Sequence, residues 1–143
     1  MTVTIKRSVA KGRVSAPPSK SMAHRLLISA ALCGEKCEIS NVALSKDIEA
    51  TVSCLKSLGA KCQEKNGTVT VFGKLEPENG AELYCGESGS TLRFMLPICL
   101  LFGKEITLSG AERLFERPLG IYEKNKKKEG FLFKKSKTGV TVC

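Results

Sequence analysis

Residues that commonly bind metal ions are scarce in this chain of 143 residues. His24 is the only histidine, and the seven cysteines form no C-x-x-C pair. Cys33 and Cys37 stand four positions apart, but no second pair with zinc spacing follows them. The sequence therefore predicts no metal site, and it indicates no cofactor.

Long apolar runs are also lacking. The longest, from Phe94 to Phe102, contains Pro97 and is too short to cross a bilayer. The first residues, Met1 to Arg7, alternate polar and apolar side chains and contain no apolar signal-peptide core. An odd number of cysteines without a secretory signal is typical of free thiols in a reducing compartment. We therefore predict small buried thiols, Cys33 among them, and a cytoplasmic protein without membrane contact.

Acidic residues are the minority, since 14 Asp and Glu stand against 23 Lys and Arg, for a net charge of +9. A basic balance favours anionic partners, either nucleic acid or small molecules. Much of the excess lies in one cluster, which consists of Lys124, Lys126, Lys127, Lys128, Lys134, Lys135 and Lys137. Because no aromatic residue stands within these lysine runs to stack on bases, a solvated surface is the favoured interpretation. A basic nucleic-acid-binding or interaction module is the alternative.

The sequence repeats itself with a spacing of 69 residues. Ser19-Lys-Ser opens one apolar helical stretch and Ser88-Gly-Ser opens another, and these stretches end at Gly34 and Gly103. After each glycine a short strand pattern follows. A fixed period of this kind predicts a duplicated supersecondary unit.

Each unit is predicted to run strand, helix, strand, helix, strand, strand. This pattern predicts an α+β (α/β) fold, with one βαβαββ unit in residues 12–74 and a second in residues 81–143. In the first unit we expect a strand Gly12–Ala16, a helix Ser19–Cys33, a strand Cys37–Val42, a helix capped by Ser45, and a hairpin of strands Lys61–Lys65 and Thr68–Phe72. The Asn66-Gly67 pair between the last two strands is typical of a type I′ turn.

Basic residues stand at three predicted helix starts, where unpaired backbone N–H groups and the helix dipole favour anions. At the first, Lys20, Ser21 and Arg25 follow Pro17-Pro18, and Ser21 and Arg25 share one helical face. Arginine binds phosphate or carboxylate through two parallel hydrogen bonds, while lysine acts as a point charge. The alternative for this segment is an N-capping serine beside ordinary surface cations.

The second start is a short glycine-serine turn that contains Gly89 and leads to Arg93 on the same helical face. It is not a Walker A loop, because the G-x-x-x-x-G-K-[ST] pattern is absent. The third start is Arg117-Pro118, where proline suits the first helical position and places Arg117 at the mouth of the helix. The repeat would bring corresponding helix starts to corresponding ends of the two units.

At these residues the chain resembles the enolpyruvyl transferase family. The resemblance covers essentially the whole chain and is strongest in residues 17–25, 86–93 and 116–120. It implies a two-lobed fold, an inside-out α/β barrel, of which this chain is an incomplete N-terminal lobe. It also implies that the strand predicted in residues 1–8 belongs with the missing C-terminal lobe.

The branch of the family that the first segment matches transfers the enolpyruvyl group of phosphoenolpyruvate to the 5-hydroxyl of shikimate 3-phosphate. Phosphate is released, and aromatic amino acids lie downstream. The resemblance implies that Lys20 contacts both substrates as the catalytic residue of this chain, that Ser21 and Arg25 bind shikimate 3-phosphate, and that Gly89 and Arg117 bind phosphoenolpyruvate with support from Arg93.

The chain departs from the family pattern in two respects. Glu87, Ser88 and Ser90 replace the asparagine, alanine and threonine of many members, in the loop that borders the phosphoenolpyruvate and glyphosate site. A carboxylate at Glu87 repels an anion unless it is turned away or paired. Family members are also much longer, and their acidic general acid/base residues come from beyond this segment. We therefore predict that this chain alone does not catalyse the transfer.

Overall fold

A computed structural model describes residues 2–4, 6–7, 9 and 11–143. The elements are α1 (Lys20–Cys33), β1 (Cys37–Ile39), α2 (Lys46–Ser57), β2 (Lys61–Lys65), β3 (Thr68–Phe72), β4 (Ala81–Tyr84), α3 (Gly89–Leu100), β5 (Ile106–Ser109), α4 (Glu112–Phe115), α5 (Gly120–Glu129), β6 (Phe133–Lys135) and β7 (Gly139–Val142). Across these described ranges, no helix is both long and apolar enough to cross a membrane.

The strands form two sheets with the same internal order. The first runs β1-β3-β2 and is antiparallel throughout. In the second, which runs β4-β5-β7-β6, β5, β7 and β6 occupy the positions of β1, β3 and β2, and β4 adds a parallel strand at the edge beside β5. The matching order of three strands confirms a repeated sheet topology, but the leading strand of the predicted βαβαββ pattern is present only in the second unit, as β4. The outer boundaries 12–74 and 81–143 stay predictions.

Local signals in the sequence start α1 and α2 and end α1 as expected, whereas α3 ends at Leu100, three residues before the predicted Gly103. Ser19 caps α1 by accepting a 3.3 Å hydrogen bond from the Met22 N–H, and Gly34 ends the helix with φ +76°. Ser45 caps α2 in the same way. These predictions are confirmed because caps and left-handed glycines act within a few residues.

The β2–β3 hairpin also forms where the sequence predicts it. Asn66 and Gly67 have φ of +51° and +73°, as a type I′ turn requires. Val69 and Val71 alternate with half-buried neighbours and lie fully inside the core. The period-two pattern of this strand therefore reports its buried face.

The three longest helices share one core. α1 packs against β1 and β3, and α3 packs against β5 and β7. α2 contacts α1, α3, β2 and β4, so it joins the two units. Fully buried side chains from all three helices, such as Leu27, Leu55 and Leu96, fill this core. The packing brings the first turns of the three helices near one another.

The strand predicted at Gly12–Ala16 is wrong, because the structure assigns these residues to no sheet. Val14, the only large apolar residue of the segment, is 97% exposed, and Gly12 has φ +131°. A strand needs a buried face or a paired neighbour, and this segment has neither here. In the strand predicted at 1–8, residues 1, 5 and 8 lie outside the described residues, and residues 2–4 and 6–7 join no sheet. Its place in a second lobe stays a prediction.

Two smaller predictions also differ from the structure. β1 stops at Ile39 instead of Val42, because Asn41 turns the chain with φ +56°. Cys33 is exposed, although Cys54, Cys62, Cys85 and Cys99 are buried as expected. Cys33 lies two turns after Leu26, on the face of α1 that is directed away from the sheet. An apolar run alone does not tell which side of a helix is covered.

Candidate functional site

The starts of α1 and α2 are joined by an ion pair. Lys20, the first residue of α1, places its Nζ 2.9 Å from Oδ2 of Asp47 in the first turn of α2. The two side chains are 54% and 36% exposed, so the pair lies at the surface and remains open to a ligand. Asp47 did not stand out in the sequence, because an acidic residue in a first helical turn is common for electrostatic reasons.

Arg25 is held at the same end of α1 by two contacts. Its Nη1 donates a 2.8 Å hydrogen bond to the carbonyl of Ser21, which confirms that the two residues share a face. Its guanidinium carbon lies 5.1 Å from the ring centroid of Phe94 in α3. This cation–π contact links α1 to α3 and limits the positions that the guanidinium samples.

The start of α3 carries a cation that comes from elsewhere in the chain. Ser88 caps the helix, and Gly89 is its first residue. The guanidinium of Arg117 lies directly against Gly89, so that a Cβ atom at this position would overlap its Nη1. The absence of a side chain at Gly89 therefore makes room for Arg117 beside the unpaired N–H groups of the helix start.

The loop before α3 is fixed by a close backbone approach. The Ala111 N–H donates a 2.9 Å hydrogen bond to the carbonyl of Gly86. A Cβ atom at Gly110 would lie 2.5 Å from that same carbonyl oxygen, which leaves no space for a side chain. The glycine-serine turn is thus a rigid part of the second unit.

The prediction for Pro118 is wrong, because α5 begins at Gly120 instead. Leu119 is 3% exposed and takes the non-helical angles φ −115° and ψ 16°, so its burial ties the turn between α4 and α5 to the core. Arg117 therefore lies in this turn and not at the mouth of its own helix. The turn carries its guanidinium to the start of α3.

Arg93 and Glu87 lie on either side of the α3 start, where Arg117 contacts Gly89. Arg93 is exposed on α3 and stands close enough to Tyr122 of α5 to oppose the burial that raises the pKa of that phenol. Glu87 is exposed and lines an open cleft with Lys46 and Asp47 of α2. The Glu87 carboxylate therefore lies on the α2 side of the α3 start.

A buried chain of polar groups runs beneath these helix starts. Nδ1 of His24 lies 2.7 Å from Oγ1 of Thr51, which lies 2.8 Å from Oγ1 of Thr91. The Thr91 hydroxyl lies 2.7 Å from Oγ of Ser88, the cap of α3. Sequence patterns did not reveal this chain, since hydroxyl residues near helix starts commonly cap or face solvent.

His24 has a consequence for the pH dependence of stability. Burial lowers its pKa below the usual 6.5, Lys20 and Arg25 lower it further, and Asp47 opposes them. Below pH 6.5 the His24 imidazole of the unfolded chain binds a proton, whereas the same imidazole in the folded chain stays neutral until a lower pH. The free energy of unfolding is therefore expected to fall as the pH decreases from 6.5 towards the pKa of the folded state.

Urea denaturation at about pH 7.5 and about pH 5.5 measures this effect. Replacing His24 by glutamine removes the titrating group, so the variant is expected to lose less stability than the wild-type chain over this range. Equal losses in the two proteins would show that His24 does not titrate as its burial indicates.

The lysine cluster lies on other elements than the first turns of α1, α2 and α3. Its first four members lie on α5, none of whose residues is buried, and Lys134 and Lys135 lie on β6. The nearby rings of Tyr122 and Phe133 stack on each other at 6.0 Å and 10°. These rings are therefore engaged with each other and do not form an open platform for bases.

Known proteins match most of this chain. The sequence model of EPSP synthase (3-phosphoshikimate 1-carboxyvinyltransferase) matches residues 5–124. A 3-phosphoshikimate 1-carboxyvinyltransferase of Clostridium kluyveri is 42% identical over 121 residues, which cover 84% of this chain and 28% of that protein. One from Clostridium novyi is 40% identical over 136 residues, which cover 87% of this chain and 31% of that protein.

The fold also matches solved structures. An EPSP synthase structure from Acinetobacter baumannii aligns with a TM-score of 0.77 at 23% identity, over 92% of this chain and 31% of that one. The predicted enolpyruvyl transferase fold is thus confirmed, and this chain spans 28% to 31% of the length of these relatives. From these matches it follows that the chain belongs to the EPSP synthase (3-phosphoshikimate 1-carboxyvinyltransferase) family.

Proposed function

We propose that this chain forms part of the substrate-binding wall of a cytoplasmic enolpyruvyl transferase. The whole enzyme transfers the enolpyruvyl group of phosphoenolpyruvate to the 5-hydroxyl of shikimate 3-phosphate and releases phosphate, on the route to aromatic amino acids. The observation that carries the proposal is the guanidinium of Arg117 against Gly89, at the start of α3. A cation that comes from another part of the chain and lies beside unpaired N–H groups at a helix start favours the binding of a small anion.

Shikimate 3-phosphate is assigned to the start of α1. The Ser21 hydroxyl and the Arg25 guanidinium lie on one exposed face, and the hydrogen bond from Arg25 to the Ser21 carbonyl keeps them together. A guanidinium and a hydroxyl supply donors that match the oxygen atoms of a phosphate. Lys20 lies beside them and adds a second positive charge.

Phosphoenolpyruvate is assigned to the start of α3. Gly89 allows the ligand to approach the backbone N–H groups, and Arg117 supplies charge-assisted hydrogen bonds. Arg93 adds a positive charge on the same exposed face, four residues further along the helix. Arg117 thus supports a site in the second unit like the site that Lys20 supports in the first.

Lys20 is the residue that we assign to catalysis within this chain. Its ammonium lies between α1 and α2, where it can contact both ligands while Asp47 holds it in place. Enolpyruvyl transfer also needs an acid to protonate the methylene carbon of phosphoenolpyruvate and a base to accept the hydroxyl proton. The family resemblance assigns these two roles to acidic residues beyond this segment, and Asp47 is engaged in the ion pair with Lys20.

An NMR titration of the 143-residue chain tests this assignment. Shikimate 3-phosphate is expected to shift the amide signals of Ser21 and Arg25, and phosphoenolpyruvate those of Gly89 and Ser90. A duplex oligonucleotide is expected to leave these signals unchanged. Salt-dependent shifts at Lys126 to Lys128 on adding the oligonucleotide, with none from either small molecule, would favour a nucleic-acid-binding module instead.

The purified chain is expected to release no phosphate when it is given both substrates. The resemblance implies that the acid and base residues lie beyond this segment, so the chemical step is expected to lack its proton carriers here. The full-length Clostridium kluyveri relative serves as a positive control. Phosphate release that persists on repurification and disappears in Lys20→Ala would contradict this prediction, because a contaminant would not respond to the substitution.

A further inference from the structure

All the buried polar side chains of residues 11–143 belong to one hydrogen-bonded chain. His24, Thr51, Ser88 and Thr91 are 1%, 0%, 2% and 0% exposed. They come from α1, α2, the cap of α3 and α3 itself. An unpaired buried hydroxyl is costly, so a folded state that retains these four residues also retains their contacts.

The chain extends to the backbone of the α2 start. The hydroxyls of Thr51 and Thr91 lie 3.3 Å and 3.2 Å from the carbonyl oxygen of Asp47. The carboxylate of the same residue binds Lys20 at 2.9 Å. Asp47 therefore connects the buried hydroxyls on one side to the exposed ammonium on the other.

The protonation of His24 is consistent with this arrangement. Among the described residues, Nε2 of His24 has no hydrogen-bond partner, so the chain ends at its Nδ1. A charged imidazolium would bring a second N–H group into the core without an acceptor. The Thr91 hydroxyl donates to Oγ of Ser88, so with neutral His24 the protons can all be directed from α1 towards α3: His24 donates to Thr51, Thr51 to Thr91 and Thr91 to Ser88.

We propose that His24, Thr51 and Thr91 are positioning residues for the site, and that their hydrogen bonds fix the starts of α1, α2 and α3 relative to one another. The groups assigned to shikimate 3-phosphate lie on α1, and those assigned to phosphoenolpyruvate lie on α3. The chain thereby sets the separation of the two ligand sites. This inference rests on the function proposed above.

Replacing Thr51 by valine tests the role, because valine has nearly the same shape and lacks the hydroxyl. Thr51→Ser is the conservative variant that restores it. Thr107→Val is the matched control, since Thr107 and Thr141 form a 2.9 Å hydroxyl pair on β5 and β7, away from the helix starts. Urea denaturation establishes that each variant is folded.

Thr51→Val is expected to weaken shikimate 3-phosphate binding by about tenfold, which is the effect of a helix start held less firmly. Without ligand, it is also expected to shift the amide signals of Lys20 and Gly89 on the two neighbouring helices. Thr51→Ser and Thr107→Val are expected to stay within about twofold of the wild-type affinity.

The two hypotheses fail in different ways. If the wild-type chain binds neither small molecule, the proposed function fails, and the ligand-free amide shifts still decide the positioning role. If Thr51→Val shifts only its own surroundings, or binds as tightly as Thr107→Val, the positioning role is overturned. Loss of affinity in Thr51→Ser equal to that in Thr51→Val would also overturn it, because the hydroxyl would then not matter.

Discussion

Replacing Gly89 by alanine is expected to weaken phosphoenolpyruvate binding by roughly 10- to 150-fold, which corresponds to the loss of about 1.5 to 3 kcal/mol in charge-assisted hydrogen bonding. The new methyl group would occupy the space of the Arg117 guanidinium, which must then leave the start of α3. Gly89 is the first residue of a helix and needs no left-handed backbone. Alanine therefore suits the backbone, and the loss does not come from unfolding.

Calorimetric titration of phosphoenolpyruvate into the variants measures this effect. Gly120→Ala is the matched control, because Gly120 is the first residue of α5 and a Cβ atom there meets nothing within 4 Å. Arg117→Ala is expected to cause a loss similar to that of Gly89→Ala. The double variant is expected to lose little more than either single one, because both act through one guanidinium. A Gly89→Ala variant that binds as well as Gly120→Ala would contradict the assignment.

Replacing Arg25 by alanine is expected to weaken shikimate 3-phosphate binding by roughly 10- to 150-fold, again the effect of losing about 1.5 to 3 kcal/mol of charged hydrogen bonding. Stability is expected to change little, because an exposed cation–π contact such as that with Phe94 contributes about 0.5 to 1 kcal/mol. Arg25→Lys keeps the charge but loses the paired hydrogen bonds, so an intermediate affinity is expected.

The same calorimetric titration with shikimate 3-phosphate provides the measurement. Lys36→Ala removes another exposed cation, one that pairs with Glu38 at 3.1 Å beyond the opposite end of α1, and it serves as the control. Equal losses of affinity in Arg25→Ala and Lys36→Ala would mean that binding depends only on the net charge of the protein. The start of α1 would then not be the binding site.

The elements that sequence patterns predicted well depend on neighbours within a few residues. The hairpin at Asn66-Gly67 formed with the expected strands because its turn needs only two left-handed residues. The strand at Gly12–Ala16 was predicted from the repeat, but it depends on a partner strand and a covering core. Val14 contacts neither a partner strand nor a covering core, so the local pattern was not sufficient to predict a strand.

The same distinction holds for the candidate site. Sequence determined where α1 and α3 begin and which cations accompany those starts, because capping and the helix dipole are local properties. Only the tertiary structure decided that Arg117, in the turn between α4 and α5, places its guanidinium against Gly89 at the start of α3. It also decided the pairing of Lys20 with Asp47 and of Thr51 with Thr91, whose partners are 27 and 40 residues apart. Such contacts depend on how α2 packs between its neighbours, and no spacing along the chain encodes that packing.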